Sequence, residues 1–280
     1  MRELSNEEIQ KIELDILVFI KKICEENNLR YYLAYGTLIG AIRHKGFIPW
    51  DDDVDIMMPR KDYLKLIELI KKRDQYRFKL VSIDTDSNFT APLAKVIDTN
   101  TRLVQHYGFI EKVELGVYID VFLLDGASDN YEEALRYYDE AYNLYTCWSR
   151  ADTKMFTPST NKLISFSRWL RNLRFKVKGY PYWLKKLEQH NQKYDFDSCK
   201  YVSVLEAGTK GAPRNVWPKS YFENTIDVIF EGVKFKAPKQ YDEILKKEYG
   251  DYMQLPPKEK RVSHHYSDIY WKDSKIDNEL

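Results

Sequence analysis

The order of local signals along this chain predicts an α+β fold, and three observations carry that reading. Short apolar runs, bounded by glycine, proline or aspartate, interleave with helical patterns over roughly the first 125 residues. Helical periodicity then dominates from about Tyr131 to Lys193. Between Tyr31 and Met58, in YYLAYGTLIGAIRHKGFIPWDDDVDIMM, one apolar run ends at a glycine and another opens in a cluster of carboxylates.

Each element has its own justification. Ser5 and Glu8 form a capping-box pattern. It opens a helix whose Ile9, Ile12, Ile16, Phe19, Ile20 and Ile23 recur at helical spacing. Leu29–Tyr35 reads as a strand ending at Gly36, Thr37–Arg43 as a short helix, and Val54–Met58 as the next strand. Pro59 precedes a helix from about Lys61 to Lys72. Phe78–Ile83 and Leu93–Ile97 are further strands, and Gly116–Leu124 is a buried one carrying Asp120. The helical stretch divides into Tyr131–Arg150, Lys162–Lys178 and Pro181–Lys193. Tyr201–Leu205 returns to strand, and Ile226–Phe230 pairs with Val233–Lys236 across a Glu231-Gly232 turn. Gly250 stops the last helix, Gln240–Tyr249. The resulting organisation is a core over 1–128 and a helical and hairpin elaboration over 129–280. No linker separates them, so one continuous domain satisfies the same pattern.

A chain of 280 residues can bury a substantial core. Lys plus Arg (44) nearly balance Asp plus Glu (43), so charge points to no nucleic-acid partner. Cys24, Cys147 and Cys199 are widely spaced and lack a CxxC, which indicates neither a disulfide framework nor a zinc site. MRELSNEEIQ lacks signal-peptide character and no apolar run is long enough to span a bilayer. A cytoplasmic setting is expected, with any membrane contact peripheral.

The chemistry concentrates between Gly36 and Asp55. Asp51, Asp52, Asp53 and Asp55 repel one another unless a cation or protons compensate. If Asp53 leads into a strand, Asp53 and Asp55 share a face, because side chains alternate along a strand. Two carboxylates aimed together make a hard-cation site, of the kind Mg²⁺ takes when it also holds phosphate oxygens. Gly36 and Thr37 sit where a backbone can approach phosphate at a helix start. Arg43, His44 and Lys45 are either phosphate contacts or a solvated basic turn. Asp120, in an otherwise apolar run, needs a metal, a basic group or a proton to be buried there. Asp125, before Gly126, reads as a turn residue. Lys95 is either a phosphate ligand or a lysine that snorkels from an edge strand.

Three blocks, GTLIGAIRHKGFIPWDDDVDIMMPRKDY, YIDVFLLDG and YGDYMQLPPKEKRVSHH, resemble the LicD family of phosphorylcholine transferases. That family is related to the fukutin group and belongs to the nucleotidyltransferase-fold superfamily. The resemblance implies a mixed sheet flanked by helices, with a nucleotidyltransferase-like catalytic core over 1–128. It puts Gly36 and Thr37 in the glycine signature and Asp53 and Asp55 on the metal-binding pair. Asp120 falls on a third carboxylate, catalytic or metal-binding, and Asp51 on the first member of an Asp-x-Asp-x-Asp pattern. The last block adds Arg261, His264 and His265 as C-terminal site residues. Adjacent histidines in extended chain face opposite ways, so these two do not share one metal.

The implied reaction moves phosphocholine from CDP-choline to a hydroxyl of a cell-surface glycan or its lipid-linked precursor. One or two Mg²⁺ ions would orient the diphosphate, and Asp120 is the expected acceptor of the hydroxyl proton. The rivals are another donor (CDP-ribitol, CDP-glycerol or CDP-ethanolamine), a nucleotidyltransferase that joins CTP to a phosphorylated small molecule, and a non-catalytic glycan- or nucleotide-binding relative.

A separate signal lies in Lys162–Lys178. Leu163, Phe166, Leu170, Leu173 and Val177 form one helical stripe, and Arg168, Arg171, Arg174 and Lys178 lie on another side. Two readings stand: a basic amphipathic helix resting on an anionic membrane, or a surface helix packed through its apolar stripe.

Overall fold

The computed structural model describes residues 2–51, 53–73, 77–105, 113–152, 162–206, 210–261 and 267–272. Strand β1 (Arg2–Glu3) leads into α1 (Asn6–Asn27), β2 (Tyr32–Leu33), α2 (Tyr35–Ile39), β3 (Asp55–Pro59) and α3 (Arg60–Lys71). Next come β4 (Phe78–Val81), β5 (Ala94–Asp98), β6 (Thr101–Gln105) and the long β7 (Tyr118–Ser128). The helices α4 (Tyr131–Asp152), α5 (Lys162–Lys176) and α6 (Tyr180–Asn191) follow. The chain then forms β8 (Tyr201–Val204), α7 (Ala212–Asn215), β9 (Val216–Pro218), β10 (Thr225–Phe230), β11 (Val233–Pro238), α8 (Tyr241–Tyr249) and β12 (Ser267–Trp271).

The main sheet is mixed, in the order β2-β3-β7-β5-β4, with β8 on the far half of β7 and β9 on β8. Only β3 and β7 run parallel among its described pairs. The fold is therefore α+β, a mixed sheet flanked by helices. Its first half of β7 pairs with β5 and its second half with β8, so residues beyond 200 complete a sheet begun before residue 35.

Local chemistry explains the framing elements. The Glu8 N–H donates to Ser5 Oγ (3.3 Å) and the Ser5 N–H to Glu8 Oε2 (3.0 Å), both halves of a capping box. From there α1 buries Ile12, Ile16, Leu17, Ile20 and Ile23 in one apolar cluster with Ile56, Met58, Val96, Ile119 and Val121 of the sheet. Glu231 (φ 48°) and Gly232 (φ 75°) both take positive φ, as a two-residue hairpin turn requires. The hairpin drives Phe230 and Phe235 into that same cluster, joining the C-terminal chain to the N-terminal core.

Arg60 ties the helical layer to the sheet. Its Nε and Nη2 donate to the two oxygens of Asp125, each at 2.6 Å, and Nη1 donates to Glu188 Oε1 of α6 at 2.5 Å. Asp125 thus lies inside β7 and not in the expected turn; a bidentate guanidinium makes its burial tolerable. Nearby Glu206 accepts the Leu123 N–H at 2.7 Å, and burial holds its carboxyl well above the usual range against the attraction of Arg60.

Two other expectations change. The strand expected over Leu29–Tyr35 shrinks to β2, because Tyr35 (φ 45°) turns the chain into α2. The helix that follows widens to a π-helical turn over Gly40–His44. The small sheet β1-β12-β6 was not legible, since it joins two chain ends to an edge strand with weak alternation.

Replacing Arg60 by Met leaves Asp125 and Glu188 without their cation in the interior. The expected loss of stability in chemical denaturation is about 3–5 kcal/mol. A loss below about 1 kcal/mol would assign the junction to apolar packing alone.

Candidate active site

Strand register sets a row of charged groups across the sheet. Asp55 on β3 stands opposite Asp120 on β7, and Asp120 stands opposite Lys95 on β5. Lys95 Nζ donates to Asp120 Oδ1 at 2.5 Å and sits 3.6 Å above the Tyr118 ring, two residues along the same face. Burial lowers the Lys95 pKa, but the charges and hydrogen bonds of Asp120 and Tyr118 together raise it on balance. Lys95 is therefore an inward partner of Asp120 and does not snorkel from an edge strand. Burial pushes the Asp55 carboxyl well above the usual range, and the charges of Asp53, Asp120 and Asp51 push the same way.

Above the edge of this row lies a cleft of about 770 Å³. Asp51, Asp53 and Asp55 line it together with Gly36, Arg43 and Arg261. The Asp55 N–H donates to Thr37 Oγ1 (2.8 Å), so buried Thr37 pins the start of α2 to the start of β3. Gly36 faces the Asp51 carboxylate so closely that a Cβ there would lie 2.5 Å from Oδ2. The glycine signature thus makes room for a carboxylate in this structure.

Basic and aromatic groups make up another part of the cleft wall. Arg43 Nη1 donates to the Tyr252 carbonyl at 2.5 Å and its Nε to His44 Nε2 at 2.8 Å. Burial, and then the charge of Arg43, lower the His44 pKa, consistent with a neutral ring accepting that bond. Arg261 donates from Nε to the Pro256 carbonyl (2.8 Å) and holds its guanidinium 5.2 Å from the Trp50 ring centre. Burial and the neighbouring Arg261 lower the Arg43 pKa. Lys45 is exposed and donates to the Ile42 carbonyl (3.2 Å), outside the cleft lining. His264 and His265, like Asp52, lie outside the described residues.

Four rings in this wall were not singled out from sequence: Tyr35, Trp50, Tyr249 and Tyr252. Tyr35 is strained by its positive φ, packs edge-on to Phe122 at 4.8 Å, and keeps a buried hydroxyl without a partner among the described residues. Trp148 and Trp217, by contrast, are buried in the core.

Hard oxygen donors gathered against repulsion suit a hard cation. Among the described residues, no three His, Cys, Asp or Glu side chains form a closed metal cage. Mg²⁺ does not need one: it commonly uses one or two carboxylates and takes its other ligands from phosphate and water. Asp53 and Asp55, with Asp51 beside them, fit that donor set, whereas Asp120 already spends one oxygen on Lys95.

Comparison with known proteins agrees with this geometry. The family described as LicD/FKTN/FKRP, nucleotidyltransferase domain, matches residues 28–122. The lipopolysaccharide cholinephosphotransferase LicD of Haemophilus influenzae is 31% identical over 279 residues, covering 96% of this chain and 99% of that protein. The chain belongs to the LicD family. It is accordingly a transferase. An uncharacterised protein of Rickettsia prowazekii is 31% identical over 81 residues, 26% of this chain and 30% of that protein. Another from Rickettsia typhi is 34% identical over 59 residues, 21% of this chain and 19% of that protein. The LicD domain match contains the carboxylate row, Lys95 and Arg43. Tyr249, Tyr252 and Arg261 lie beyond it, within the span of the full-length relative.

Gly36→Ala in this LicD-family chain would displace the Asp51 carboxylate and leave the core untouched. Turnover is expected to fall about tenfold or more, with a melting temperature within a few degrees of the parent. Unchanged turnover would remove Asp51 from the site.

Proposed function

We propose that this transferase moves phosphocholine from CDP-choline to a hydroxyl of a cell-surface glycan (teichoic acid, lipopolysaccharide or capsule) or of its lipid-linked precursor, releasing CMP. The observation that carries the reading is one cleft lined both by the carboxylates of Asp51, Asp53 and Asp55 and by Arg43 and Arg261. A diphosphate needs both: guanidinium contacts for its oxygens, and a cation to match the carboxylates. The full-length likeness to a lipopolysaccharide cholinephosphotransferase supports the choice of choline and of a glycan acceptor.

In this reading Asp53 and Asp55, with Asp51 assisting, would hold one or two Mg²⁺ ions, which supply positive charge to the diphosphate. Arg43 and Arg261 bind and orient the phosphate oxygens by charge-assisted hydrogen bonds. Tyr35, Trp50, Tyr249 and Tyr252 offer the aromatic enclosure that a quaternary ammonium requires. The acceptor hydroxyl attacks the phosphorus that bears choline. Its bond to the bridging oxygen breaks, and that electron pair leaves with CMP. Asp120, fixed by Lys95 through Oδ1, takes the hydroxyl proton on its other oxygen. His44, which accepts from Arg43 Nε, supports that guanidinium from behind. The proposed setting is the cytoplasm.

The test is CMP release from a panel of CDP-alcohols with a crude glycan precursor, with and without EDTA. CDP-choline is expected to be the active donor, EDTA to abolish release and added Mg²⁺ to restore it. Asp53→Ala and Asp55→Ala are each expected to cost at least about 10³-fold in turnover in a folded protein. Near-parental turnover in either variant would overturn the metal assignment. Activity with CDP-ribitol, CDP-glycerol or CDP-ethanolamine alone would keep the reaction and replace the donor.

A further inference from the structure

Helix α5 presents its faces in an order opposite to that of an ordinary surface helix. Its inward stripe is Ser165, Trp169, Asn172 and Lys176, the last donating from Nζ to the Ala151 carbonyl of α4 at 3.1 Å. Trp183 of α6 donates from Nε1 to the Phe175 carbonyl (3.1 Å), a second anchor for the helix. The apolar stripe points outward: Phe166, Leu170, Leu173 and Val177 are 48, 54, 39 and 80% exposed. A surface helix packed through its apolar stripe is therefore not what the chain builds. Exposed apolar side chains in one continuous row mark a contact surface, since soluble surfaces seldom keep them together.

The charge around the row states the partner. Arg171, Arg174 and Lys178 are exposed and flank the stripe on one side at helical spacing. No acidic residue occurs between Asp152 and Glu188. At the C-terminal end, Lys178 Nζ lies 4.7 Å over the half-exposed Tyr182 ring, an amphipathic pair of the type found at headgroup level. A second copy of this chain would bring the same cations against one another across a two-fold contact, which disfavours self-pairing. Among the described residues no helix is long and apolar enough to cross a membrane, so insertion would be in the plane of the surface.

We propose that α5 is a membrane-docking helix, which lays Phe166, Leu170, Leu173 and Val177 into the surface of an anionic bilayer while Arg171, Arg174 and Lys178 bind lipid phosphates. The inference goes beyond the transfer reaction and depends neither on its donor nor on its metal.

The full chain is sedimented with vesicles of phosphatidylcholine, alone or with about 30% phosphatidylglycerol. Binding to the anionic vesicles only, weakened by high salt, is the expected result. Arg171→Gln, Arg174→Gln and Lys178→Gln together are expected to weaken it roughly 10²-fold, at about fivefold per charge. Leu170→Asp with Val177→Asp, at exposed positions that spare the fold, is expected to abolish it while circular dichroism stays unchanged. Equal recovery with neutral vesicles, or undiminished binding of the Asp variant, would overturn the proposal. So would a concentration-dependent dimer lost in the Asp variant without vesicle binding, which would assign the face to a second copy.

Discussion

The parallel pairing of β3 with β7 is the constraint on which the site depends. It sets Asp55 beside Asp120, and the antiparallel β5 then brings Lys95 to the far side of Asp120. Buried charge is costly unless it is matched. Lys95 matches Asp120, while at Asp55 burial, and then the charges of Asp53, Asp120 and Asp51, hold the carboxyl well above the usual range. The row thus brings the carboxylates of Asp51, Asp53 and Asp55 to the lining of one cleft. A second matched group, Arg60 with Asp125 and Glu188, performs a structural task at the other end of β7.

The two ends of the chain share the cleft. Asp51, Asp53, Asp55, Gly36 and Arg43 come from before residue 60, while Tyr249, Asp251, Tyr252 and Arg261 come from the end of α8 and the segment after it. They meet because the β10–β11 hairpin and α8 pack into the apolar cluster that α1 shares with the sheet. The Arg43 bond to the Tyr252 carbonyl closes the arrangement directly across the cleft wall. This division explains why a domain match ending at residue 122 captures Asp51, Asp53, Asp55, Tyr35, Arg43 and Trp50, whereas Tyr249, Tyr252 and Arg261 need the whole chain.

Much of this was legible locally. The capping box, the strand after Asp53 and the hairpin turn each rest on short-range rules that tertiary packing did not override. The fit of Asp53 and Asp55 to one cleft follows from strand alternation alone. What stayed hidden was nonlocal. The pairing of Lys95 with Asp120 depends on the register of strands more than twenty residues apart in the chain, and the sequence shows only that each needs a partner. The positive φ of Tyr35 has no glycine or asparagine to announce it. Periodicity revealed both stripes of α5 but not that a third face, with Ser165, Trp169, Asn172 and Lys176, turns inward, because that is decided by α4 and α6.

In the proposed reaction the carboxylates and arginines of the cleft act on the phosphorus of a CDP-alcohol, and CMP is the leaving group. Phosphorus NMR of a complete reaction with CDP-choline, Mg²⁺ and glycan acceptor tests it most directly. The account predicts CMP and a new phosphodiester resonance on the glycan in equal amounts, with no pyrophosphate. Pyrophosphate from CTP and phosphocholine, with CDP-choline left intact in the presence of acceptor, would contradict it and make the protein a nucleotidyltransferase.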